Sequence, residues 1–166
     1  DFEMDRIERV ASNDQKIDEL RLKANVTRVS RDYHMVNTLI MTGSFDGATE
    51  YLESARAGAN ELGIQDLIDS NEKALVNVAY NEALTEIDVD KKIAALQFAR
   101  QLAQDRGLDV LMGSHERKLA SSLYDDVTMI AMRGYPITVG SAFSELSLAR
   151  QLVSDNGFDM IDKEMN

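Results

Sequence analysis

The feature that most constrains this chain is that it repeats itself. Shifting the sequence by 44 positions lays Leu52, Ala55, Arg56, Ala59, Gly63, Leu67, Ser70, Glu72, Leu75 and Tyr80 onto Leu96, Ala99, Arg100, Ala103, Gly107, Leu111, Ser114, Glu116, Leu119 and Tyr124, ten identities across the 33 positions from 52 to 84. A further shift of 50 lays Leu96, Ala99, Arg100, Gln101, Leu102, Asp105, Gly107 and Asp109 onto Leu146, Ala149, Arg150, Gln151, Leu152, Asp155, Gly157 and Asp159. The pattern L-x-x-A-R, with glycine seven residues after the arginine, therefore occurs three times. A period of this length marks a supersecondary unit that cannot bury its apolar face alone and must stack on its neighbours.

Hydrophobic spacing identifies the unit as helix, turn, helix. In the middle copy Ala95, Leu96, Ala99, Leu102 and Ala103 recur at steps of three and four, Asp88 is placed to cap that helix, and Gly107 to end it. Ser114 is expected to cap a second helix carrying Leu119, Ala120, Leu123, Val127 and Ile130, ending at Gly134. Its first-copy equivalent begins near Ser70 with Leu75, Val76, Ala79, Tyr80 and Ala83. Upstream, the apolar spacing of Ile17, Leu20, Leu22, Val26, Val29, Val36, Leu39 and Ile40 predicts one helix, or two broken near Asn25 to Thr27, where helix propensity is weak. Tyr33 aligns with Tyr80 and Tyr124 as the remnant of an earlier copy.

The expected architecture is all-α, antiparallel helical hairpins in a repeat, forming a solenoid-like array or a compact helical bundle. It is read as one domain, 1–166, with an N-terminal helical segment 14–43, hairpins 46–87 and 88–134, and an incomplete third hairpin 138–166. That incompleteness leaves the apolar face of Leu146, Ala149, Leu152 and Val153 without its natural cover unless upstream helices or another chain supply it, and so implies a partner or a longer parent chain. The first residue is Asp1 rather than methionine, which implies a removed upstream segment. The array resembles the helical-hairpin solenoids, tetratricopeptide and HEAT arrays among them, in general architecture. Its spacings of 44 and 50 exceed the roughly 34 residues of tetratricopeptide units, whose tryptophan and terminal proline it lacks, so no family is assigned.

Composition narrows the function classes. The net charge of −11 argues against direct nucleic-acid binding, which needs clustered Lys and Arg to displace counterions. No apolar run reaches the roughly 18 residues of a membrane span, and no signal sequence opens the chain, so a soluble protein of the cytoplasm or of a soluble assembly, such as a viral particle, is expected. Without cysteine there is no disulfide or thiolate chemistry. His34 and His115 share no metal-binding spacing, and Asp88-Val89-Asp90 opens like a calcium loop but continues with Lys91 and Lys92, so no metal and no cofactor is expected. No nucleophile elbow or phosphate-binding loop is present, and no catalytic residue is nominated.

The residues that stand out are Arg56, Arg100 and Arg150, at the edge of the apolar stripe one turn after Leu52, Leu96 and Leu146. They read either as structural partners of Glu72 and Glu116 or as a ladder that clamps carboxylates of a ligand. Tyr80 and Tyr124 read as core packing with a wet hydroxyl or as a stacking platform. Tyr135 sits in the apolar loop 134–140, a packed connection or a contact site. The resulting expectation is a non-enzymatic interaction or assembly domain, a structural subunit or adaptor that binds a protein partner or itself. The alternatives are a small-molecule sensing or regulatory domain with a pocket between hairpins, and an acidic inhibitor that mimics nucleic acid.

Overall fold

The computed structural model of the protein describes residues 2–133 and 139–157, with side chains described for 13–129, 140 and 142–157. Over these residues the fold is six helices and no strand: α1 (Phe2–Met41), α2 (Phe45–Leu62), α3 (Gln65–Thr85), α4 (Val89–Asp105), α5 (Asp109–Arg133) and α6 (Val139–Asn156). Each α2–α3 and α4–α5 unit is one copy of the sequence repeat. Positions 134–138 of the predicted loop 134–140, Tyr135 among them, and the residues from 158 onward lie outside the described residues, while Val139 and Gly140 open α6.

The turn inside each copy has one solution. Gly107 takes a left-handed φ of 62°, its amide donates to the Gln104 carbonyl, and the Leu108 amide reaches back to Ala103 at 2.9 Å. Gly63 repeats this, with Ile64 donating to Ala59 at 3.1 Å. This pair of bonds satisfies carbonyls that the helix end would otherwise orphan. The next helix starts so soon after it that the predicted caps are wrong. Ser70 and Ser114 lie inside α3 and α5, and Ser70 bonds the Leu67 carbonyl instead. Asp88 does cap α4, accepting from the Lys91 amide at 3.1 Å. A Cβ at Gly107 would meet open space, so Gly107→Val is costly only through its backbone. Thermal unfolding should show about 2 kcal/mol of lost stability; no change would remove the left-handed turn as a determinant of the repeat.

Packing does not follow the repeat boundaries. The most extensive interfaces are α1 on α2, α3 on α4 and α5 on α6, whereas α2–α3 and α4–α5 touch lightly beside their turns. Contacts also run from α1 to α3 to α5 and from α2 to α4 to α6, which makes two layers. Alanine lets the layers approach: Ala55, Ala99 and Ala149, the alanine of each L-x-x-A-R, are all fully buried. The core continues through Val36, Ile40, Leu102, Leu119, Leu123 and Leu152. Leu152 and Ala149 are sealed against α5 and α4, so upstream helices supply cover to that part of the α6 face.

Helix α1 is unbroken through Asn25 to Thr27. Thr27 and Ser30 bond the carbonyls of Lys23 and Val26, keeping their hydroxyls within the helix. Its packed part begins near Val29; Ile17, Leu20 and Leu22 are exposed, unlike the buried stripe their spacing suggested. Among the described residues no helix is long and apolar enough to cross a membrane.

Candidate functional site

The repeated arginines are brought to repeated carboxylates. Sixteen residues separate Arg56 from Glu72 and Arg100 from Glu116, and the Gly63 and Gly107 turns fold those intervals so that each pair meets. Arg56 donates through Nε to Glu72 Oε1 at 2.8 Å and through Nη2 to Oε2 at 2.6 Å. Arg100 makes the same fork on Glu116 at 2.6 and 2.8 Å. Both carboxylates are buried, at 0% and 1% exposure, while each arginine keeps about a quarter of its side chain in water. A tyrosine from the preceding odd-numbered helix completes the arrangement: Tyr33 donates to Glu72 Oε1 at 3.2 Å, and Tyr80 to Glu116 Oε1 at 3.0 Å. The Tyr80 hydroxyl, expected to be wet as one reading of that residue, is dry.

A second acid reaches each arginine from the following copy. Arg56 Nη1 donates to Asp105 at 3.1 Å, and Arg100 Nη2 to Asp155 at 3.1 Å. The residue after each of these acids also faces the buried carboxylate, Arg106 beside Glu72 and Asn156 on Glu116 at 2.6 Å. Arg106 additionally pairs with Asp69. Each rung thus ties three copies of the pattern together: tyrosine, glutamate with arginine, and aspartate.

Ionisation follows this geometry. Burial alone would raise the Glu116 carboxyl, but the Arg100 hydrogen bonds, the Asn156 amide, the Arg100 charge and the Tyr80 hydroxyl outweigh it and hold the group below its ordinary 4.5. Burial, then the adjacent carboxylate, push Tyr33 and Tyr80 well above the usual phenol range. The hydrogen bonds that Arg56 and Arg100 donate to the glutamates, which outweigh the desolvation of the guanidinium groups, raise both arginines further. His115 stacks on Tyr80 with ring centroids 4.8 Å apart and contacts Asn77 through Nε2 at 2.8 Å. Burial, with the Lys118 charge second, lowers it from 6.5. Because the folded chain disfavours the His115 cation, stability should be complete above pH 6.5 and decline as pH falls below it. Glu116 is more stable ionised, so its contribution is present above 4.5 and lost as the folded carboxyl protonates. A melting-temperature series should show a shallow decline that His115→Gln removes, then a steeper one that it does not.

Among the described residues no acid completes the third rung. Tyr124, the counterpart of Tyr80, buries its hydroxyl without a hydrogen-bond partner. Arg150 is exposed and makes no ion pair among the described residues. Family models, curated proteins and solved structures return no match to this chain. The geometry sorts the nominated residues: Arg56, Arg100 and Tyr80 are internal fasteners, whereas Arg150 is exposed without an ion pair among the described residues and Tyr124 has an unmatched hydroxyl sealed from solvent. The Asp125 and Asp126 carboxylates face solvent. The larger surface concavity, lined by Val26 and residues 63–67, is an open groove beside the α2–α3 turn and contains none of the nominated residues. No group of three metal-ligating side chains occurs among the described residues. Asp105 and Asp155 were missed as rung members, although their match under the 50-residue shift was the signal that pairs them.

Proposed function

We propose that this chain is a non-enzymatic interaction or assembly module, and that it receives a helix of a protein partner against α5 and α6. The observation that carries the reading is this third rung. Tyr124 keeps a sealed hydroxyl, and Arg150 has no ion pair among the described residues, at the places where Tyr80 and Arg100 hold Glu116. A buried donor without an acceptor costs roughly 1–3 kcal/mol, so an incoming carboxylate or amide that displaces the groups sealing the hydroxyl recovers free energy that the isolated chain lacks. Exposed Met129 on α5 and Phe143 on α6 add apolar surface on the same two helices.

The test is binding of a synthetic peptide with the 65–85 sequence of α3, whose Glu72 is a rung acid in its native setting. Calorimetry should detect association with the intact chain, lost when the peptide carries glutamine for Glu72 or the chain carries Arg150→Glu. Absence of binding to the intact chain would overturn the reading.

A further inference from the structure

We propose that copies of this chain join head to tail, Arg150 on α6 of one copy pairing with Glu61 on α2 of the next, so that α1 and α2 of the second copy extend the two layers. This rests on the interaction reading above and names the partner. At both internal joints an arginine meets the acid that lies five residues beyond the following arginine: Arg56 with Asp105, and Arg100 with Asp155. Arg150 has no such acid ahead of it among the described residues. Five residues beyond Arg56, the first arginine of the series, stands Glu61, exposed and without an ion pair among the described residues. Among the described residues α6 therefore carries a cation without an ion pair and α2 a carboxylate without one, at matching positions of the repeat.

The tyrosine supplies an independent second match. The acceptors Glu72 and Glu116 each precede the next tyrosine, Tyr80 and Tyr124, by eight residues. Eight residues before Tyr33 is Asn25, exposed on α1, whose amide oxygen accepts a hydroxyl proton. In the joined pair Asn25 of the next copy lies over Tyr124 and reaches its hydroxyl once the side chains that seal it move aside. Leu22, one turn earlier and 52% exposed, gains cover against the α5–α6 edge. The two patches differ, so the association is heterologous and grows or closes into a ring. Asn25 is neutral where the internal rungs have glutamate, leaving Arg150 one carboxylate instead of two. The joint is accordingly weaker than the internal ones and reversible.

Light scattering over a wide concentration range tests this. Mass should rise with concentration for the intact chain, and less so at high salt, which screens an exposed pair. Arg150→Glu and Glu61→Arg should each raise the dissociation constant by about tenfold or more. Mixing the two variants should restore association, because every joint in the mixture again opposes unlike charges. Monomer mass throughout, or association that both variants leave unchanged, would overturn the head-to-tail joint. If the intact chain stays monomeric yet binds the α3 peptide, the joint is wrong and the interaction reading stands; if it also ignores the peptide, both fail.

Discussion

Glu116→Ala is expected to destabilise the fold by about 3 kcal/mol, near the lower end for breaking a buried ion pair. The carboxylate accepts from Arg100 twice, from Tyr80 and from Asn156. Its removal strands all three donors beneath a side chain that is 1% exposed. The figure stays at the lower end because Arg100 retains Asp155 and access to water. For a domain of this size the loss corresponds to a fall of roughly 9 °C in melting temperature, measurable by circular dichroism. Tyr80→Phe removes one neutral donor and leaves the fork intact, so it should cost only about 1 kcal/mol. Equal losses from the two variants would mean that the ion pair contributes nothing beyond the tyrosine bond. Arg100→Met combined with Glu116→Leu should recover much of the loss, since an apolar pair strands fewer charges.

The same residues explain how much of the molecule was legible in its sequence. Local rules sufficed where one turn or one helix face decides the outcome: the Gly107 turn, the Asp88 cap and the stripe Ala95, Leu96, Ala99, Leu102 and Ala103 all occur as expected. Pairing Arg100 with Glu116 was also within reach, because only one turn separates them. Arg56 and Asp105 are 49 residues apart, and nothing local dictates that the end of α4 comes back over α2. That contact depends on the even-numbered helices forming a layer, a property of packing between copies. Helix α1 is the single helix of the two alternatives its spacing left open, because cooperative propagation outweighs the weak propensity of Asn25 to Thr27. Ser70 and Ser114 look like caps, but the turn geometry starts the helices one turn earlier.

The repeat itself misleads at one position, and a substitution there measures by how much. Gly58 aligns with Leu102 and, through it, with Leu152, both buried, so the pattern alone recommends leucine. A Cβ at Gly58 would lie 2.9 Å from Val29 Cγ2, closer than carbon atoms pack, because α1 presses on α2 at that turn. Val29 is 1% exposed and β-branched on a helix, so it has little freedom to rotate away. Gly58→Leu should therefore destabilise the fold by about 3 kcal/mol, overpacking outweighing the roughly 1 kcal/mol that leaving glycine gains in helix propensity. Val29→Ala opens space beside the new side chain, and combining it with Gly58→Leu should cost less than the sum of the two single losses. Strict additivity would mean that the clash is relieved by a shift of the whole helix and not held at this contact. A stabilised Gly58→Leu chain would show that the α1–α2 interface accepts the same residue as its two successors, making glycine here incidental to the close approach of α1.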